Sequence, residues 1–580
     1  MSSAGLTQVV PDVPIWYDGV STPNRAKLGP ITPLTNQVPD LGNWEPWVSV
    51  IGEKVFVVEC NKFADDGTAS NERYVLAFQP ARPGTWADAG LGNCFYDDNG
   101  KPYTNAISSR QDGNPGRVYG DRRYDGVNFA TSAESDPQDY STYFGGPSPL
   151  DGRFTGALYT DPGEPIGMRS VLAQCFSLDL STMVQTPLCK AFDGNSLGHP
   201  EFLSMTGITD QQRGRQGGGV AALDNGNFVL LMNDRSLFFP SSGNTMAGQN
   251  EAIVGIYTPA GGVVAKTFLP ATNALDNQAW TDPAGFKGGF CVRYGVGTAY
   301  GTADAWLGFF DNAGNLIATN MHNAASGLTL DTGRGDGTKI AGDIRMPWVY
   351  YTSAGWLTVW NGTNGAYLGQ YHVIDDLDPT ATVDRSDVAC DSAGNVCVAW
   401  NGKPTTATDL GTNSNQAFSL DQIMVRVLHF DGTTITPVTH TFFPFLNHDS
   451  DTNFIVGYQT TNPDVDMTTR YICVAGKGLI NSTNNLAGGP DSAPQTTVYT
   501  IISNPGYVPP KLTATHSGGN MIISWAASAG DGTLQSTPTL QPTAWATVSP
   551  QPASVLVNGN TYQKTVAIGA GNKFFRLLAQ

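Results

Sequence analysis

Residues 388–400 read VACDSAGNVCVAW: an apolar run, a turn of Asp, Ser, Gly and Asn, and a second apolar run closing on Trp400. Two such runs around an Asn/Asp/Gly turn signify a β-hairpin, because those turn residues tolerate the positive φ that tight reversals demand. The pattern recurs at 220–233 (VAALDNGNFVLLMN), 305–319 (AWLGFFDNAGNLIAT) and 349–360 (VYYTSAGWLTVW), and more weakly at 253–268 and 425–438. No stretch holds three turns of helical periodicity.

The hairpins come in pairs, and a pair makes a four-stranded unit. Residues 219–270, 288–320, 346–375 and 387–444 form four such units, flanked by 46–80, 126–192 and 453–480. About seven uneven units between residues 40 and 503 are the signature of radial repetition in a β-propeller, with a long two-sheet sandwich as the alternative. The expectation is an all-β chain: an N-terminal extension (1–40), a roughly seven-bladed β-propeller (41–503), a Pro-rich linker (504–511) and a small C-terminal β-sandwich (512–580).

Composition agrees. Only 14% of the 580 residues are charged, while Gly (67) and Pro (37) are plentiful, as short strands joined by turns require. A net charge of −18 leaves no excess of Lys and Arg to displace counterions from phosphates, which argues against a nucleic-acid partner. No apolar run reaches the roughly 18–20 residues needed to span a bilayer. The first residues, MSSAGLTQVVPDVP, lack the basic and apolar regions of a signal peptide, so an exported protein would have lost its signal before this start.

Beyond residue 511 the stretches NMIISWAAS, TLQSTPTL, TAWATVSPQP, VNGNTYQKTVAI and GNKFFRLLAQ resemble the small β-sandwich module that ends many large secreted bacterial proteins. The shared features are an I-S-W strand, an L-Q-S-T strand, a W-x-x-V segment and a closing F-[FY]-R-L strand. The resemblance covers about seventy residues and implies an extracellular or cell-surface location, with no implication for chemistry. The propeller portion resembles secreted bacterial propellers only loosely, without the Asp-box of sialidase-type blades or the Trp-Asp of WD40 blades.

If a four-residue loop (392–395) closes the opening hairpin, Cys390 faces Cys397 within disulfide reach. Cys175 and Cys189 repeat the idea across a longer hairpin, Cys60 and Cys94 share the first unit, and Cys291 and Cys473 are left either separate or bridged between blades. A metal site would need two further ligands, and C-x6-C matches no common zinc spacing. No metal centre is therefore assigned. Ca²⁺ is the one cofactor with candidate ligands, at NHDSD (447–451), where a solvated turn is the plainer reading, as it is for IDDLDP (374–379).

In a propeller, the loops leading to the innermost strands open around the central channel. Assigned to them are Trp44, Trp47, Arg123, Tyr124, Arg215, Lys287, Arg345, Trp348 and Arg385 as ligand-binding residues, and Asp125, Asp343, Asp387 and His448 as candidate catalytic groups. Arg presents a planar fork to carboxylates, Asp accepts from hydroxyls, and aromatic rings stack on sugar faces. Paired carboxylates would serve glycoside hydrolysis, and a Tyr, His or Arg beside a uronate would serve a lyase. Against this stands the plainer account that Arg–Asp pairs tie neighbouring blades together. No G-x-S-x-G elbow, H-E-x-x-H helix or P-loop is present. The expected function is recognition of a carbohydrate such as an acidic polysaccharide or cell-surface glycan, with cleavage as an extension. The alternative is a non-catalytic adhesion, surface or self-assembling structural protein.

Overall fold

The computed structural model describes residues 8–14, 16–17, 38–39, 44–51, 55–62, 72–78, 118–120, 128–135, 170–179, 184–188, 192–193, 213–236, 251–268, 276–278, 283–297, 304–321, 340–383, 385–402, 422–445, 454–456, 463–480, 495–508, 511–526, 532–540, 545–557, 561–569 and 573–579. No helix long and apolar enough to cross a membrane occurs among them. They divide into two compact units, 1–505 and 506–580.

In the first unit, seven larger antiparallel sheets follow one another along the described chain. Five of them begin with the innermost strand; in the fourth and seventh, Asp276–Gln278 and Phe454–Val456 come first and pair with the same neighbour as the inner strand. The inner strands are Trp44–Ile51, Val118–Gly120, Arg213–Ala222, Ala284–Phe286, Ile340–Gly342, Arg385–Cys390 and Asp464–Met467. Each touches the next, and Asp464–Met467 touches Trp44–Ile51, so the ring closes on itself. The described residues of this unit form a β-propeller of seven blades. Closure also recruits the far N-terminus: Gln8–Pro14 pairs antiparallel with Gln495–Ser503 and forms the outermost strand of the seventh blade. Gln8–Pro14, in the segment expected to precede the propeller, is thus a strand of its seventh blade.

Alternation along the strands buries one side chain set against each neighbouring blade. Tyr350, Leu357 and Val359 of the fifth blade share a core with Val388, Cys390, Val396, Val398 and Trp400 of the sixth. On the other face of the sixth blade, Ala389, Cys397, Ala399 and Val425 pack against Val465, Met467, Ile472 and Val474 of the seventh. At roughly 1.5–3 kcal/mol for each large apolar side chain removed from water, stability is distributed over these inter-blade cores. Inner strands approach so closely that a Cβ on Gly285 would lie 2.2 Å from the Ala222 carbonyl oxygen, and one on Gly342 would lie 2.4 Å from that of Gly285. Only glycine fits at either position.

The opening hairpin is built differently from the expectation. Cys390 pairs with Val396, and Cys397 with Ala389, because the loop holds five residues rather than four. Asp391 Oδ1 accepts from Ala393 N–H (2.8 Å) and Asn395 N–H (2.9 Å), and Gly394 takes φ +88° to complete the turn. A one-residue slip turns every side chain to the other face. Cys390 thus faces the fifth blade and Cys397 the seventh, and both are buried thiols with no bridge between them. A similar slip undoes the second pair: Cys175 O accepts from Leu188 N–H (2.8 Å), so Leu188 lies where Cys189 was expected, and Cys175 is a buried thiol. Cys291 and Cys473 are likewise buried thiols. Cys60 lies on the strand Val55–Lys62; Cys94 and Cys189 fall outside the described residues.

The second unit consists of a four-stranded sheet (Thr513–Ser517, Asn520–Ala526, Thr561–Ala567, Val555–Val557) and a three-stranded sheet (Ala546–Thr547, Gly532–Thr537, Phe574–Ala579). They share one core, in which Ile523, Trp525 and Val566 of the first meet Leu534, Phe575 and Leu577 of the second.

Candidate functional site

The turns that follow the inner strands meet one another at one rim of the ring. Lys287 N–H, after the fourth inner strand, donates to Met346 O after the fifth (2.8 Å). Gly288 N–H donates to Asp224 Oδ2 after the third (2.9 Å). Trp348 underlies the turns of the sixth blade, where a Cβ on Gly394 or Gly432 would lie 3.4 Å from its ring. This is the end rim; the inner strands start at the opposite one.

The residues assigned to one face divide between these rims. Trp44 and Trp47 lie at the beginning of Trp44–Ile51, with a register irregularity between them. Arg215 is near the beginning of Arg213–Ala222, and Arg385 opens Arg385–Cys390. These share the start rim. Lys287, Asp343, Arg345 and Trp348 follow inner strands of only three residues, Ala284–Phe286 and Ile340–Gly342, and so belong to the end rim. Arg123, Tyr124, Asp125 and His448 fall outside the described residues.

The end-rim groups are engaged in holding the fold. Asp343, 1% exposed, accepts from Arg345 three times: backbone N–H (2.9 Å) and Nε (2.8 Å) on Oδ1, and Nη2 (2.6 Å) on Oδ2. Trp348 packs edge-on against Phe430, with centroids 5.0 Å apart. Asn312 Nδ2 donates to Asp224 Oδ1, and Asn504 Nδ2 to Asp391 Oδ2 (3.1 Å), adding further ties.

Asp387, also 1% exposed, belongs to a second set of ties, between inner strands. Its Oδ2 accepts from Val465 N–H (2.8 Å) and its Oδ1 from Val388 N–H (2.8 Å). Asp464 Oδ1 accepts from Val48 N–H (2.9 Å), and Asp466 Oδ2 from Val50 N–H (2.9 Å). Carboxylates thus satisfy backbone donors that the inner edge of a blade would otherwise leave buried and unpaired. Their charge has a side effect: burial, reinforced by Asp387, pushes the Cys397 thiol well up, and burial with Asp466 and Asp464 does the same for Cys473. Such thiols are inert as nucleophiles.

Between the inner strands lies a cavity of about 60 Å³ lined by Ala221, Ala284, Gly285, Ile340, Ala389, Cys390, Asp466 and neighbours. That admits a few waters, at about 10–15 Å³ each, and is far below the ~300 Å³ of a small-ligand pocket. A ligand of sugar size does not fit this cavity.

Two arginines escaped the sequence reading. Arg293 is wholly buried, on a strand whose inner pairing jumps from Cys291 to Gly295 because the inner position is divided into Asp276–Gln278 and Ala284–Phe286. Arg426, 3% exposed, gathers the 373–383 segment: it donates to Val373 O (2.6 Å) and to Asp375, lies 3.2 Å from Asp376 Oδ1, and sits over the Tyr371 ring. Asp376 in turn accepts from Thr441 N–H and Oγ1, each at 2.7 Å. The IDDLDP turn is thereby a strap between the fifth and sixth blades. Burial and the hydrogen bond to Asp375 push Tyr371 up to about 12. Burial alone would raise Asp375, but the Tyr371 and Arg426 hydrogen bonds outweigh it and hold it below its ordinary value. No signal in the sequence linked Arg426 to a turn fifty residues earlier. Among the described residues no group of three His, Cys, Asp or Glu is arranged to hold a metal ion.

No protein family model matches the chain, and no curated protein matches it. Among solved structures, the chain is similar to the α-L-arabinofuranosidase Arb93A of Fusarium graminearum, at 10% identity over 74% of this chain and 99% of that one, TM-score 0.39. It is similar to an α-L-arabinanase of Penicillium chrysogenum, at 9% identity over 74% and 99%, TM-score 0.36. The endosialidase of phage phi92 gives 9% identity over 83% and 70%, TM-score 0.33.

Proposed function

We propose that the chain binds an acidic polysaccharide or cell-surface glycan at the start rim of its propeller, outside the cell. The observation that supports this reading is that Arg215, Arg385, Trp44 and Trp47 stand in the first halves of inner strands, so these Arg and Trp positions share one end of the ring. Arg pairs with uronate carboxylates and Trp stacks on sugar faces. Export follows from the resemblance of the C-terminal residues to a secreted module. Binding without turnover is favoured over cleavage by the state of Asp343 and Asp387: both are 1% exposed and hold backbone or Arg345 donors, which suits them poorly to proton transfer with a substrate.

The test is a panel of neutral, acidic and sulfated polysaccharides, assayed for binding and for new reducing ends and unsaturated products. We expect a uronate polymer to bind without turnover, and Arg215→Ala with Arg385→Ala to weaken it about tenfold or more, ~1.4 kcal/mol. Binding of no acidic polymer would overturn the reading. Turnover lost on Asp125→Asn or His448→Ala would replace it with an enzymatic one.

A further inference from the structure

Three of the four motif stretches that carry the C-terminal resemblance, LQST, WATV and FFRL, each contribute one residue to a single cluster. In the three-stranded sheet, Gln535 pairs with Thr547 on one side and with Arg576 on the other. Leu534, Phe575 and Leu577 point into the core, so alternation turns Gln535, Phe574 and Arg576 to the outer face. The Arg576 guanidinium lies 4.7 Å from the centroid of the Trp545 ring, and its Nε donates to Gln535 Oε1 (2.8 Å). The ring fixes the plane of the guanidinium and the glutamine fixes its rotation. Arg576 is exposed, and these two contacts leave the Nη1/Nη2 edge directed to neither. Ordering an arginine beforehand removes much of the entropy cost of the bond it will make.

The surroundings favour an anion. Residues 512–580 contain Lys564, Lys573 and Arg576 against one acidic residue, Asp531, in a chain whose net charge is −18. Phe574, 39% exposed, lies two residues from Arg576 on the same face and offers an apolar surface beside the fork. We propose that Trp545, Arg576 and Gln535 form a carboxylate-binding site for a uronate residue of a glycan, with Arg576 making the bidentate contact and Phe574 facing the sugar ring. This proposal does not rest on the one for the propeller rim.

The experiment uses the full chain carrying Arg215→Ala and Arg385→Ala, so that rim binding does not mask a second site. Calorimetric titration with trigalacturonate is compared with its methyl ester and with a glutamate oligomer. We expect trigalacturonate to bind and its ester not to. Arg576→Lys, which keeps the charge but loses the fork, should weaken binding about tenfold. Trp545→Phe, which preserves a ring, should weaken it less, and thermal unfolding should change little in either variant. Binding unaffected by Arg576→Lys, equal binding of the ester, or tighter binding of the glutamate oligomer would each overturn the proposal. Failure of the rim reading would appear separately, as unchanged affinity on introducing the two rim substitutions.

Discussion

Gly394, at φ +88°, decides more than its own turn. It lengthens the loop to five residues, and the pairs Cys390–Val396 and Ala389–Cys397 follow. The Asp391–Asn395 turn has a twin at Asp311–Asn315, where Asp311 Oδ1 again accepts from the backbone N–H groups two and four residues on (2.9 and 2.8 Å). Both turns were legible in the sequence as D-x-A-G-N; the parity of the loop was not, because an Asp side chain can close four or five residues alike. We therefore expect the tryptic peptide 386–426, alkylated after unfolding without reductant, to carry two adducts and no internal bridge by mass spectrometry. Gly285 gives a second prediction. Gly285→Ala forces a Cβ to within 2.2 Å of Ala222 O, so it should destabilise by about 3 kcal/mol or more, through strain and overpacking, as read by denaturant midpoint.

At the scale of strands and turns, carboxylates divide into ties and solvated caps. Asp464→Ala would leave the Val48 N–H buried without its acceptor, and we expect a loss of roughly 1–3 kcal/mol. Asp431, exposed in its turn, is held at about 2 by hydrogen bonds from Thr433 and Thr434, and its replacement by Ala should leave the denaturant midpoint nearly unchanged. The pH profile follows the same groups. Asp375 titrates lower when folded, so its contribution is complete above about pH 4 and is lost as pH falls through its folded value. Burial holds His372 below its ordinary value, so the unfolded chain takes up its proton first and stability declines as pH falls below about 6.5. Calorimetric melting temperatures should fall gently from about pH 6.5 and steeply below about pH 4; a rise between pH 5 and 3 would contradict this assignment. Strand pattern was legible here because apolar alternation is local. The rim of each charged residue was not, because a three-residue inner strand such as Ile340–Gly342 hardly differs in sequence from a loop, and Asp343 and Arg345 fall just past it.

For the whole molecule, closure joins residues nearly five hundred positions apart: Gln8–Pro14 completes the blade ending at Ser503. Nothing local in QVVPDVP marks it as a blade strand, since its partner lies at the other end of the ring. Removing residues 1–15 should expose the edge of Gln495–Ser503 and lower the melting temperature, with aggregation as the visible consequence. The central claim is that the propeller binds its ligand at the rim where inner strands start. Its most direct test measures uronate-polymer affinity in three full-length chains, each also carrying Arg576→Lys: one otherwise unchanged, one with Arg215→Ala and Arg385→Ala, and one with Lys287→Ala at the end rim. The account predicts about a tenfold or greater loss for the start-rim chain and undiminished affinity for Lys287→Ala. Equal loss in both variants, or loss only with Lys287→Ala, would contradict it.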